Sequence, residues 1–191
     1  LNVAGNVVAT KSLSLPARGH TAQYLTEIFS QTIGISEFEG TLVIKGARKF
    51  GGVTLRAAGP LLTSVPMVPG LRYGDERARL VFPQVSNGAA GGLTIRTTFI
   101  LINNTTQPVT GTLYMVKPDG SPMTVSIGGQ SRSSVDYTLN PGATKRLVTS
   151  GAGALATGWA WASMDRPIGG TAIFHISDSA GKLLTEVGVL S

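Results

Sequence analysis

Gly158-Trp159-Ala160-Trp161-Ala162-Ser163-Met164-Asp165-Arg166-Pro167-Ile168-Gly169-Gly170 has a degraded counterpart in Gly40-Thr41-Leu42-Val43-Ile44-Lys45-Gly46-Ala47-Arg48-Lys49-Phe50-Gly51-Gly52. Aligned without gaps, Gly40/Gly158, Arg48/Arg166, Gly51/Gly169 and Gly52/Gly170 coincide, and so do the apolar positions Val43/Trp161 and Phe50/Ile168. After an insertion, Leu61-Leu62-Thr63 meets Leu183-Leu184-Thr185. Self-similarity at a fixed spacing means one folding unit used twice.

Working outward, Val135 to Leu139, Asn140-Pro141-Gly142 and Thr144 to Thr149 echo Ser12 to Leu15, Pro16 to Gly19 and Thr21 to Leu25. Residues 125–191 then correspond to 1–67, and the first unit lacks counterparts of 80–124. The reading is an all-β chain: a partial β-sandwich unit at 1–65 without its opening strands, a linker at 66–79 marked by Pro66-Met67-Val68-Pro69-Gly70, and a complete unit at 80–191. The complete unit has the size, short strands and regular turns of an immunoglobulin-like sandwich.

Within these units, Leu1, Val3, Val7 and Ala9 alternate as on an extended strand, and Thr21 to Phe29 has the pattern of a short helical turn. Strands are expected at Thr41 to Lys45 and Val53 to Ala57, at Leu80 to Pro83, then at Leu93 to Ile102 beyond a glycine-rich loop at 87–92. Lys117-Pro118-Asp119-Gly120-Ser121-Pro122 is a hairpin signal, because Asp-Gly supplies the positive φ of a tight turn; Met123 to Ile127 returns from it.

Composition agrees with a chain that assembles. The 191 residues include 25 Gly and 10 Pro, few helix-forming runs, and only 14% charged against 42% hydrophobic residues. A typical soluble domain carries about 25% charged residues, so an isolated copy would show an unusually uncharged surface. The net charge of +6 is spread singly, and Arg72, Arg77 and Arg79 are interrupted by Asp75 and Glu76. Without a reading motif, this does not indicate a nucleic-acid partner. Cysteine is absent, and no apolar run is long enough to span a membrane. A first residue of Leu1 suits a processed secreted chain or a fragment excised from a longer protein.

Phe82-Pro83-Gln84-Val85-Ser86-Asn87-Gly88, Leu101-Ile102-Asn103-Asn104, Gly158-Trp159-Ala160-Trp161 and Pro167-Ile168-Gly169-Gly170 resemble β-sandwich modules of large secreted proteins of environmental bacteria. The resemblance covers the second unit and the latter part of the first. It implies secretion and an extracellular scaffold or adhesive setting, and brings no catalytic residue with it.

Sites of chemistry are sparse. His20 and His175 occupy non-equivalent places in the repeat and read as structural, since no nucleophile elbow accompanies them. Glu37 and Glu39 read as a solvated pair, Asp119-Gly120 lacks the further acidic ligands of a calcium loop, and Gly88 to Gly92 precedes a strand where a phosphate loop needs a helix. No catalytic residue, cofactor or metal is therefore expected. Asn103 and Asn104 are overlapping glycosylation acceptors, though Asn and Thr there also suit a self-bonded turn. Arg48 and Arg166 are placed to bond turn carbonyls, and the Gly-Gly pairs that follow suggest a bulge or close backbone approach.

A sandwich missing strands exposes an inner face and unpaired edges. The expectation is therefore a secreted, non-enzymatic homopolymer, a filament or sheath held by strand or edge pairing between subunits. The candidate strands are 1–10 (Leu1, Val3, Val7) and Leu183 to Leu190 (Leu183, Val187, Val189). The competing reading is an adhesion module that uses Trp159 and Trp161, side by side on one strand face, to contact a cell-surface glycan or protein. For these two indoles, core packing or subunit contact is the favoured role.

Overall fold

The computed structural model describes residues 1–30, 38–68 and 79–191. In order, these contain a one-turn helix α1 (Leu25–Ile28), the hairpin β1 (Thr54–Ala58) and β2 (Leu61–Val65), and then β3 (Arg79–Ala90), β4 (Leu93–Ile102) and β5 (Val109–Val116). There follow β6 (Val125–Ile127), β7 (Gln130–Arg132), β8 (Ser134–Leu139), β9 (Thr144–Val148), β10 (Ala156–Met164), β11 (Gly169–Asp178) and β12 (Leu183–Leu190). The fold is all-β, and the strand pairings are antiparallel.

The main sheet runs β12-β11-β4-β3-β10-β5-β8, with β9 also paired to β4. Its course depends on β3, which pairs β10 over Arg79–Asn87 and changes partner to β4 over Gly88–Ala90. Gly88 sits at the change with φ +117, and a Cβ there would lie 2.3 Å from the Ala154 carbonyl oxygen. Only glycine relieves both constraints. The sheet thus folds over, so that β3-β10-β5-β8 faces β12-β11-β4-β9, and Phe82 of β3 meets Phe99 of β4 edge to face at 5.2 Å. Such a pair adds about 1 kcal/mol beyond its buried area.

Alternation decides which side chains enter this core. In β8, Val135, Tyr137 and Leu139 point in, while Ser134, Asp136 and Thr138 point out. In β10 the inward positions are Ala160 and Ala162, both fully buried, so Trp159 and Trp161 fall on the outer face, half-buried. Of the two roles favoured for the indoles, core packing or subunit contact, core packing is thereby corrected: the alternation assigns inward positions to alanines, whose small volume leaves room for Phe82 and Met115 from neighbouring strands.

Several element expectations change. Thr41 to Lys45 is not a strand and Leu1 to Thr10 forms no ladder beyond one bridge, Asn2 to Gly40, because neither segment has a partner strand among the described residues. The expected loop at 87–92 shrinks to Gly91-Gly92, at φ +59 and +78, because β3 stays paired through Ala90. Met123 donates its N–H to the Met115 carbonyl as a returning strand should, but Val125–Ile127 then turns through Gly128-Gly129 and pairs β7 instead. The helical turn at α1, β4, the Asp119-Gly120 turn, β8, β9 and β12 fall where the pattern places them.

The close approach expected of the Gly-Gly pairs occurs in both copies, against core side chains at Gly170 and against the flexible Met67 at Gly52, where a Cβ would lie 2.9 Å from the Met67 sulfur. A Cβ on Gly170 would lie 2.5 Å from Leu80 and 3.1 Å from Phe82, whereas one on Gly51 would meet nothing within 4 Å. Arg48 and Arg166 are exposed, and neither bonds a turn carbonyl among the described residues. Of the linker at 66–79, residues 69–78 lie outside the described residues, while Pro66 and Val68 pack on Gly188 and Gly169. Arg72, Arg77, Asp75, Glu76 and Glu37 also lie outside them.

Candidate functional site

Every buried apolar side chain among the described residues belongs to Leu80 or a later position. The first 65 residues contribute none. Instead Val7 (69% exposed), Leu13, Leu15, Tyr24, Val43 and Val53 (77%), among others, face outward. A run of extended chain that exposes alternate apolar residues has the pattern of a strand and lacks the partner.

Two attachments tie this segment to the rest. At the first, Leu1 and Thr41 exchange hydrogen bonds, the Leu1 amino group and the Thr41 N–H each donating at 2.9 Å. Thr144 at the start of β9 donates its N–H to the Val3 carbonyl at 3.0 Å, and the Thr41 and Thr144 hydroxyls meet at 2.5 Å. Leu1 is half-buried here, while Val3 stays exposed.

The second attachment is polar and buried. The β1–β2 hairpin lies on β12, with the missing side chain of Gly188 allowing Ser64 and Val65 to approach its backbone. Beneath it, Arg56 of β1 donates to Oε2 of Glu186, while Oε1 of Glu186 lies 2.6 Å from Nδ1 of His175. Nε2 of His175 is 2.9 Å from the Thr98 hydroxyl, and Thr63 of β2 donates to the Glu186 carbonyl. With the imidazole neutral, Nδ1–H donates to the carboxylate and Nε2 accepts from Thr98. Burial lowers the His175 pKa from its ordinary value; Glu186 opposes this, and Arg96 and Arg56 add to it.

A hydroxyl, an imidazole and a carboxylate in line are the parts of an acyl-transfer relay. Here Thr98 is 1% exposed and the Glu186 side chain likewise 1%, so no substrate reaches the hydroxyl. The chain of bonds works as a clasp, because removing one member leaves a buried charge or dipole unpaired. His175 is thus structural, and His20 is exposed. Arg56, Thr98 and Glu186 were not singled out by pattern, although Glu186 is the lone charge in an apolar strand, and that isolation is the signal that could have found it.

On the outer face of β10, Trp161 stacks on Tyr114 of β5 at 4.4 Å and 19°, and the Arg79 guanidinium of β3 sits 4.9 Å from its ring centroid. β5 and β3 flank β10 on opposite sides, so Trp161 is held between the two. Trp159 lies apart, on a shallow depression with Pro83, Gln84 and Pro118. The two indoles are neighbours, but only Trp159 has a ring face free of these partners.

Asn103 is fully buried, and its amide nitrogen donates to the carbonyls of Gln107, Leu139 and Asn140, while its oxygen accepts from the Thr105 N–H and hydroxyl. A nitrogen so engaged cannot accept a glycan in the folded chain; Asn104 is the exposed acceptor. Among the described residues no three His, Asp or Glu side chains group as a metal site, and no helix is long and apolar enough to cross a membrane. Of the edge-strand candidates, Leu183 and Val189 are half-buried and Val187 is 50% exposed on β12, which is paired on one side only, by β11. Comparison with protein-family models, with curated protein sequences and with solved structures finds no match.

Proposed function

We propose that the chain is a non-enzymatic structural subunit of an extracellular filament or sheath, in which an immunoglobulin-like unit at 80–191 is joined to a partial repeat at 1–65 that is completed by another subunit. One observation carries the reading: among the described residues every buried apolar side chain belongs to Leu80 or a later position, while Val7, Leu13, Leu15, Val43 and Val53 face outward. Burying a Val or Leu side chain is worth about 1.5–3 kcal/mol, so covering Val7, Leu13, Leu15, Val43 and Val53 would supply enough to drive association. The low charge content supports the same reading, and secretion rests on the resemblance to secreted modules.

The experiment is deletion of residues 1–10, followed by sedimentation of native material. Loss of the polymer in the deletion variant, with the β-sheet circular dichroism retained, is the expected outcome. Polymers of unchanged length would remove this segment from the assembly. A monomeric parent chain that binds immobilised glycans, and loses them on Trp159→Ala, would replace the reading with that of an adhesion module.

A further inference from the structure

The proposed assembly leaves open which surface accepts the arm, and one trough in the fold fits it. Between β3 and β12, each paired on only one side along this rim among the described residues, lies an apolar depression lined by Ile95, Phe174, Ile176, Val187 and Val189, with Gln84 on the β3 side. These apolar side chains stand on the inner face of β4, β11 and β12 by alternation; Val187 is 50% exposed, Ile95, Ile176 and Val189 are half-buried, and Phe174 forms the floor at 8%. Asp178 continues the row at the end of β11, on the same face as Ile176 and Phe174 by alternation; its Oδ1 accepts from the Ala180 and Lys182 N–H groups of the turn, which leaves Oδ2 to face a cation.

We infer that this trough receives residues 7–15 of a second copy of the chain, laid antiparallel to β11 so that Lys11 meets Asp178, Leu13 meets Ile176 and Leu15 meets Phe174. The inference rests on the filament reading and names its acceptor. Three observations select the occupant. Val7, Ala9, Lys11, Leu13 and Leu15 share one face of an extended segment, and Leu13 and Leu15 are 54% and 49% exposed with no strand partner. The one cation of that face falls two residues from Leu13, as the one anion of the β11 row falls two residues from Ile176, so charge and register agree together. The arm is rooted at Thr144 on β9, while the trough lies at β12, at the opposite end of the order β12-β11-β4-β9. Donor and acceptor at opposite ends make a heterologous, head-to-tail contact, which propagates as an open polymer wherever its rotation does not close a ring.

The test is complementation between two full-length variants. Leu13→Asp with Leu15→Asp spoils the donor, and Val187→Arg spoils the acceptor; all three positions are exposed, so the core is untouched. Each variant alone is expected to be monomeric by light scattering, and an equimolar mixture is expected to give a species of twice the monomer mass, stopped there because its remaining donor and acceptor are both defective. A synthetic peptide of residues 5–16 is expected to bind the donor-defective variant and to lose at least tenfold in affinity for Val187→Arg. Should the parent chain polymerise and the variants polymerise equally well, or the mixture stay monomeric, the trough is not the acceptor, although assembly itself stands. A monomeric parent chain overturns the filament reading and this inference with it.

Discussion

His175 shows what a single buried side chain contributes here. Held neutral between the Thr98 hydroxyl and the Glu186 carboxylate, with the cations Arg56 and Arg96 nearby, it has a folded pKa below its ordinary value, chiefly through burial. A histidine so depressed contributes stability that is complete above its unfolded pKa of about 6.5, and that stability is lost as the pH falls through the lower folded value. The melting temperature should therefore drop between pH 7 and pH 5, and His175→Gln should flatten that slope while lowering stability at neutral pH. Equal slopes in parent and variant would show that His175 does not govern the acid response. Tyr137 titrates at the other extreme, its phenol pushed up to about 12 by burial and by Asp165 while it donates to the Ser163 carbonyl at 2.7 Å.

At the scale of elements, close contacts at glycine explain more than propensity does. Gly170 opens β11 where Leu80 and Phe82 fill the place of its side chain, so Gly170→Ala should cost about 1–3 kcal/mol by overpacking. In the other copy Gly51→Ala, with open space around it, should fall within about 0.5 kcal/mol of the parent; urea denaturation of both variants measures the contrast. Equal costs would mean that β11 relaxes around the added methyl. The same pair shows how far the sequence can be read. The close approach was legible in Gly169-Gly170, and the alternation of β8, β4 and β12 predicts their faces, because each has a partner strand that enforces the pattern. Thr41 to Lys45 has the same local character and no ladder, since strand formation is a property of the pair and not of the segment. The clasp of Arg56, Glu186, His175 and Thr98 was hidden for a related reason. Its members come from four strands, and only the register of β11 between β4 and β12 brings them together. Asn103 was legible as a turn residue, but its burial depends on β8 and the loop behind it.

For the molecule as a whole, the uneven distribution of burial is the fact that needs an explanation. The part from Leu80 onward has a closed core, and one of its rims, β9, carries Lys145 and Arg146, which discourage pairing. At the other end, β12 carries the single charge Glu186, and that is buried in the clasp beneath the β1–β2 hairpin. One end is thus guarded and the other open, beside a segment of 65 residues with outward apolar side chains. The central claim is that other subunits cover this segment, and the mass of the native material by light scattering, read with negative-stain images, tests it most directly. The account predicts extended polymers of uniform width that disperse when the β-sheet signal is lost. A single species near the chain mass of 19.8 kDa, unchanged as concentration rises, would contradict it.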